Sequence, residues 1–311
     1  MLISAYSNFS KKTINMESIQ KQFDIFSSRL ADINDYHSFN LDLVKTSHEK
    51  FLEYEKSIKN LEEEKDYTAY GRATRFYSLD PYTNEEISIG GAIISKSKDD
   101  LYGLKFIHNK QIQWLLVDAY EAFEEYLKSV YAHAGHLDNN LWSLADFGKI
   151  SLNDIESLNL DWFKKETNKT TNTDRIIKQL KKKIPELTKS LEKNIPNIDY
   201  NYRLSVVQHI RHIIVHKNGY IKNEDEFIKK ILEKVGKYNN GNFSQEHGNY
   251  IRQFYCDCTK KHENIIYLNS VYSELEDTGL NIFHDKFSLL IQNLASYAII
   301  LNKSLNNHIK T

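Results

Sequence analysis

Hydrophobic side chains recur with helical spacing along the first part of the chain. Within residues 17–66, an early run places apolar side chains three and four positions apart, and a looser stripe follows it. The early run consists of Ile19, Phe23, Phe26 and Leu30. Acidic residues outnumber lysines in the second run, which is typical of a solvated helical face. The pattern predicts a helical N-terminal region over residues 1–66.

A longer amphipathic stripe lies near the middle of the chain. It predicts a helix over about residues 104–134, with Gly135 as its stop. Its apolar positions are Ile112, Leu115, Leu116, Ala119, Phe123, Tyr126, Leu127 and Val130. The aromatic side chains of this helix, Trp114 and Tyr120 among them, are expected to pack in the core. A second clean stripe over residues 283–301 is expected to pack against this helix.

Alternation of apolar and polar residues replaces the helical pattern over residues 74–95. There the turn-like DPYTN separates TRFYSL from EEISIGGAIIS, which predicts a β-hairpin. We interpret Gly90 and Gly91 as a turn or bulge, because no Gly-Lys-Ser/Thr follows them as in a phosphate-binding loop. Residues 67–103 are therefore assigned to a linker or small β-hairpin, and residues 104–311 to a helical bundle. The predicted fold class is mostly α.

Basic residues concentrate in one later segment. Residues 161–193 contain ten lysines or arginines against five acids, whereas the whole chain has a formal net charge of −1. That near balance excludes a strongly basic surface for non-specific duplex binding. The segment predicts a basic helix broken by Pro185, and two interpretations stay open: a solvated helix face, or a surface that holds a phosphate backbone.

Residues 250–277 are predicted to be helical.

Cysteine usage and hydropathy bear on the cellular compartment. The two cysteines, Cys256 and Cys258, are too few for a disulfide framework, which fits a reducing compartment. The first residues lack the basic-then-apolar order of a secretory signal, and no apolar run approaches the roughly 20 residues of a membrane span. We therefore expect a cytoplasmic protein that makes no membrane contact.

The segment that most suggests chemistry is a predicted helix over residues 206–216. At about 100° per residue, its apolar side chains fall on one face, and an arginine and three histidines fall on the other side. The apolar face comprises Val206, Val207, Ile210, Ile213 and Ile214, and the polar side includes His209, Arg211, His212 and His216. Asn218 and Gly219 follow, and Asn-Gly is a helix stop that leaves His216 in the last turn.

Four interpretations of this polar cluster stay open on the residues alone. The first is an ordinary surface face. The second is a zinc site, because His212 and His216 are spaced like a zinc-helix pair that Cys256 and Cys258 could complete, although the glutamate of H-E-x-x-H is absent. The third is phosphodiester cleavage, because histidine titrates near neutrality and arginine can hold charge on phosphate oxygens. The fourth is an anion or nucleotide site without turnover.

The same segment resembles a known family of nucleases. The run RHIIVH, from Arg211 to His216, matches the R-x4-6-H signature of HEPN-domain ribonucleases, and the surrounding QHIRHIIVHKNG resembles HEPN members of bacterial defence systems. The run LLVDAYEAFEEYLKSVY is similar to their long early helix. The resemblance covers about residues 104–305 and implies an antiparallel HEPN-like helical bundle.

The resemblance implies metal-independent cleavage of single-stranded RNA, with no cofactor. Arg211 and His216 are then catalytic, and His212 assists them. HEPN nucleases line one cleft with the motif helices of two protomers, so a homodimer is implied, with a 2′,3′-cyclic phosphate and a 5′-hydroxyl as products. The implied role is that of a toxin or antiphage effector acting on single-stranded RNA or a tRNA loop, with an antitoxin or another defence-system protein as partner.

Further residues refine this picture. HEPN toxins silenced by nucleotidylation have a tyrosine two residues after the histidine. This chain has Asn218 there, and its nearest tyrosine is Tyr220, so that control route is not expected.

Glu121, on the polar strip of the long helix, is a candidate carboxylate that orients Arg211. Val215, an apolar residue on the exposed side, is expected to meet a second copy. The alternative to a nuclease is a non-catalytic HEPN-like module that binds RNA or nucleotides.

Overall fold

The structure, a computed structural model, describes most of the chain. The described residues are 2–59, 69–169, 172–239, 241–257, 264–269, 271–274 and 281–310. They form a mostly helical protein with small antiparallel sheets, which confirms the predicted fold class at that level. Within these ranges, no helix combines the length and the apolar character needed to cross a membrane.

The described elements alternate long helices with short ones and short strands. The α-helices are α1 (Leu2–Lys59), α2 (Ser97–Leu137), α3 (Leu160–Asn168), α4 (Thr173–Lys183), α5 (Pro185–Glu192), α6 (Tyr200–Lys217), α7 (Glu224–Lys234), α8 (Gln245–Arg252) and α9 (Lys286–Lys310). The strands are β1 (Ala69–Leu79), β2 (Glu86–Lys96), β3 (Tyr220–Ile221), β4 (Tyr255–Asp257), β5 (Asn264–Ile266), β6 (Val271–Glu274) and β7 (Asn281–His284). Short 3-10 helices span Asn139–Leu141, Leu144–Phe147 and Leu152–Ser157.

The chain divides into two compact units. One comprises residues 1–35 with 112–311, and the other comprises residues 36–111.

The smaller unit contains the predicted hairpin. β1 pairs with β2 in one continuous antiparallel register. The connection turns at Asp80, whose backbone N–H donates to the carbonyl of Glu85 over 2.8 Å. The interpretation of Gly90 and Gly91 as a turn or bulge is wrong, because both lie inside β2 and the register is unbroken there. DPYTN alone therefore reverses the chain.

The core of the larger unit surrounds α2. Phe123 of α2 packs edge-on against Tyr297 of α9 with ring centroids 5.7 Å apart, and Tyr126 stacks on Phe26 of α1 at 5.1 Å. The hydroxyl of Tyr126 donates to the carbonyl of Ala298 over 3.2 Å. These contacts confirm that the last helix packs against the long one. They also show that the early part of α1 packs in the same core.

Two expectations about α2 are wrong. The helix continues past Gly135, where a Cβ would overlap the indole of Trp142, so this glycine permits a close approach and does not stop the helix. The indole N–H of Trp142 donates to the carbonyl of Tyr131 over 2.7 Å, which fixes the ring there. Trp114 is 60% exposed because it lies four residues before Asp118 on the polar strip of the helix.

The later connection also differs from the sequence prediction. Within residues 250–277, the described part contains the end of α8 and then β4, β5 and β6 in place of the predicted helix. β5 pairs antiparallel with both β3 and β4, so this segment gains its hydrogen bonds from a strand that follows α6. By contrast, the break at Pro185 is confirmed, since α4 ends at Lys183 and Pro185 begins α5.

Candidate active site

Helix α6 places the polar cluster on a rigid element of the larger unit. Asp199 caps its first turn by accepting from the backbone N–H of Tyr202 over 3.1 Å. The predicted apolar face is buried, as the sequence indicated. Its members are Val206, Val207, Ile210, Ile213 and Ile214. Burial of this face against α9, α7 and α5 fixes the rotation of the helix and therefore the direction of its polar side chains.

The predicted stop of α6 is present. Asn218 is in the left-handed conformation (φ 52°), and the N–H of Gly219 (φ 83°) donates to the carbonyl of Ile213 over 3.0 Å. A Cβ at position 219 would lie 2.8 Å from the side-chain amide of Gln113, so a larger residue would have to displace that amide in addition to straining the positive φ angle. His216 is thereby held in the final turn of the helix.

Arg211 lies between α6 and α2. Its Nη2 is 3.6 Å from Oε1 of Glu121, and its Cζ is 5.8 Å from the ring centroid of Tyr120. The side chain is 25% exposed, and its Nε is buried with no hydrogen-bond partner among the described groups. The predicted neighbour Glu121 is therefore in place, at a distance too long for a direct hydrogen bond. Arg211 keeps donors for a further ligand.

His212 and His216 lie on successive turns of α6. Their rings are 4.6 Å apart and tilted, and both side chains are exposed. Desolvation lowers the pKa of His212 below its ordinary value, and the neighbouring His216 and Lys217 lower it further. His212 is therefore more fully neutral near pH 7 than a free histidine, and a neutral imidazole can accept a proton.

A third histidine, His209, belongs to the same site. Its Nδ1 is 2.8 Å from the carbonyl of Ser205, and because a carbonyl only accepts, Nδ1 holds the proton and leaves Nε2 as an acceptor. Burial lowers the pKa of His209, and the charge of Lys234 lowers it further. The sequence placed His209 on the polar side but gave it no role. Its spacing of three residues from His212 was the available signal.

Arg211, His209 and His212 border one open cavity of about 550 Å³, called here the site pocket. Its other bordering residues come from α2, α6 and α7 and from the start of α4. They include Tyr120, Glu124, Asn172, Thr173, Asp174, Gln208, Lys230 and Lys234. The site pocket is large enough for a nucleotide-sized ligand and has many groups that form hydrogen bonds.

A hydrogen-bonded network fixes the far wall of the site pocket. Lys234 lies 2.7 Å from Oδ2 of Asp174 and donates to Oε1 of Gln208 over 2.6 Å. The amide of Gln208 in turn donates to Oδ1 of Asp174 over 2.9 Å. Burial alone would raise the pKa of Asp174, but the bond and charge of Lys234 outweigh it and lower that pKa. The wall is thus preorganised by side chains from three helices.

Other predicted residues are placed differently. His216 is on α6 as predicted but does not border the site pocket. Val215 is partly buried and packs against the core of its own chain, and its contact with a second copy stays a prediction. Of the two cysteines considered for a zinc site, Cys256 lies in β4 and Cys258 falls outside the described residues. Among described residues, no group of three or more His, Cys, Asp or Glu could hold a metal ion.

Comparison with protein-family models, with the curated proteins and with the solved structures found no match to this chain. What the molecule does is therefore inferred from this geometry and from the motif on α6. The described site offers a cation, two histidines with lowered pKa values and a polar cavity beside them. These groups suit acid-base chemistry on an anionic ligand.

Proposed function

We propose that the protein is a metal-independent endoribonuclease that cleaves single-stranded RNA at the polar face of α6. The observation that supports this most directly is that Arg211 and His212 border the same nucleotide-sized pocket, with His216 one turn beyond. A cation that stabilises charge on the phosphate and an imidazole that accepts a proton near neutrality suit phosphodiester cleavage without a metal. The R-x4-H spacing of the motif agrees with this assignment.

The proposed reaction is an internal transesterification. The 2′-oxygen attacks the adjacent phosphorus while the bond from phosphorus to the 5′-oxygen breaks, giving a 2′,3′-cyclic phosphate and a 5′-hydroxyl. A neutral histidine accepts the proton of the 2′-hydroxyl, and a protonated histidine donates one to the leaving 5′-oxygen. Arg211 stabilises the charge that develops on the non-bridging oxygens. We assign these proton transfers to His216, the histidine of the R-x4-H motif, and to His212 one turn before it.

Two copies of the chain would complete this site. Arg211 and His216 are about 140° apart around α6, so one helix presents them in different directions. A two-fold pairing of motif helices would place the arginine of one protomer opposite the histidine of the other. We therefore extend the proposal to a homodimeric nuclease, acting in defence or as a toxin held inactive by a partner protein.

The proposal is tested by cleavage of end-labelled single-stranded RNA beside single-stranded DNA of the same sequence. RNA should be cut and DNA spared, because DNA lacks the 2′-hydroxyl nucleophile. The 5′ fragments should end in a 2′,3′-cyclic phosphate, and a single 2′-deoxy nucleotide at the cleavage site should block the cut. Cleavage of both nucleic acids alike would exclude this chemistry. Tight binding of RNA with no cleavage would instead identify a non-catalytic binding module.

A further inference from the structure

Two further cavities lie along α4 and share bordering residues with the site pocket. A second cavity of about 420 Å³ is bordered by Asp174 and by basic residues of α4, and a third of about 320 Å³ lies beyond it. Asn172 borders all three cavities, and Arg175 borders the second and third. The second and third cavities, which share Arg175, are together called here the α4 groove, and the groove adjoins the site pocket at Asn172 and Asp174.

One stripe of α4 presents cations to this groove. Arg175, Lys178 and Lys182 are spaced by three and four residues, so they lie on one face of the helix, and all three are exposed. Ile176 and Leu180 are buried on the other face. The helix is therefore oriented by its apolar residues so that its cations border the groove.

Most carboxylates of the groove already have partners within the protein. Asp146 accepts from the hydroxyl of Tyr131 over 2.6 Å and pairs with Arg175, and Asp174 pairs with Lys234. Among the described residues, seven lysines or arginines border the three cavities against four carboxylates. In the described part of the chain no carboxylate lies within ion-pair distance of Lys178 or Lys182, and Asp174, on which the charge of Lys178 acts, pairs with Lys234. Their charge is available to a ligand.

We propose that the α4 groove binds the sugar-phosphate backbone of single-stranded RNA next to the cleaved bond, through Lys178 and Lys182. This inference rests on the proposed nuclease function, since it extends the same pocket outward. A single strand presents one negative charge per nucleotide and bends to follow a groove, which suits a row of lysines leading to Arg211. The chain's near-neutral total charge requires such local attraction.

The groove recognises phosphates and not bases. Its aromatic rings, Tyr131 and Trp142, are buried and stacked on each other with centroids 5.0 Å apart. They therefore expose no face on which a base could stack. Contacts made only to phosphates position the strand but do not select its sequence. Any sequence preference of cleavage then originates in the site pocket.

The test combines Lys178→Glu with Lys182→Glu in the full chain. The probe is a single-stranded 2′-O-methyl RNA, which resists attack by its own 2′-oxygen, and binding is followed by fluorescence anisotropy over a range of salt concentrations. The double variant should bind about tenfold more weakly, and the slope of log K against log salt should fall by about 1.4, for two phosphate contacts. Matched control substitutions are Lys183→Glu with Lys193→Glu, exposed lysines that do not border the groove.

Different results would test the groove assignment and the proposed nuclease function separately. If wild-type protein cleaves RNA but both double variants bind the probe alike, the groove assignment is wrong and the proposed function stands. If the groove variant alone loses binding while wild-type protein never cleaves RNA, the groove assignment holds and the nuclease does not. Binding of poly-glutamate in place of the RNA probe would show that the groove accepts an acidic protein, which overturns the proposal. Thermal melting of each variant confirms that it is folded.

Discussion

The carboxylate of Glu121 lies 3.6 Å from the guanidinium of Arg211, across the contact between α2 and α6. Glu121 is 51% exposed, so this ion pair is screened by water and worth at most about 1 kcal/mol. The pair therefore contributes little to folding. It does limit the directions that the guanidinium can take, and the adjoining ring of Tyr120 limits them further.

Removing Glu121's charge should lower cleavage without affecting RNA affinity. For Glu121→Gln we expect kcat to fall about two- to fivefold with KM nearly unchanged, because an exposed pair is worth about 0.5–1 kcal/mol. Steady-state kinetics on RNA measures the two constants separately. Glu125→Gln is the matched control, since Glu125 contacts Arg29 and not Arg211. A rise in KM with constant kcat would show that Glu121 acts on binding and does not position Arg211.

Arg211 and His216 should be essential for cleavage and dispensable for folding. Replacing either with alanine should reduce the cleavage rate by about 100-fold or more, the usual cost of losing a charge-stabilising group or a general acid-base group. Thermal melting should shift little, because neither side chain belongs to the apolar face of α6. Lys222→Ala, an exposed lysine beyond the helix, is the control and should cleave normally. A fully active Arg211→Ala or His216→Ala variant would refute the assignment.

The local parts of this site could be predicted from the sequence. Periodicity predicted the buried face of α6, and the Asn218–Gly219 pair predicted its end, because both features depend only on neighbouring residues. The contact between Glu121 and Arg211 was anticipated from the polar strip of α2. The pocket wall built by Asp174 and Lys234 was not, since these residues meet only after α4 and α7 pack on α6.

The errors have equally specific causes. Trp114 was assigned to the core by residue type, although its position on the acidic strip of α2 already indicated exposure. The strands within residues 250–277 depend on pairing with β3, and such long-range hydrogen bonding leaves no periodic signal in the segment itself. Gly135 resembles a helix stop in the sequence, but in the structure its lack of a Cβ permits the close approach of Trp142.

Cleavage should not depend on a metal ion. Arg211 and the histidines supply the charge and proton transfer that a metal would otherwise provide, so activity should survive EDTA and protein freshly purified should not require added divalent ions. Cleavage assays with and without chelator, alongside elemental analysis, measure this. Stoichiometric zinc whose removal abolishes cleavage would instead assign His212 and His216 as ligands, with Cys256 and Cys258 as further candidates.

Acid should destabilise the fold through His209. Its folded pKa lies below the ordinary value of 6.5, so the unfolded chain binds the proton more readily. The stability contributed by neutral His209 is therefore complete above pH 6.5 and is lost as the pH falls below it. We expect the free energy of unfolding, measured by urea denaturation across that range, to depend less on pH in His209→Gln than in the wild type. Gln208→Ala, a neutral neighbour in the same helix, should lower stability equally across this range, since the carboxyl of Asp174 that it contacts titrates well below it. Equal slopes for wild type and His209→Gln would contradict this account.

If each active site is built from residues of two protomers, mixing two inactive variants should restore cleavage. Arg211→Ala and His216→Ala are each expected to be inactive, yet a mixed dimer would join the intact arginine of one protomer to the intact histidine of the other. Half of the dimers formed from an equal mixture are mixed, and each has one complete site of two, so activity should reach about a quarter of wild type. Because Val215 packs against its own core, a charge there would disturb folding as well, and this mixture is the cleaner measurement. The variants are mixed after partial denaturation and refolding, and light scattering verifies the dimer mass. A mixture that forms dimers but stays inactive would show that each protomer builds its site alone.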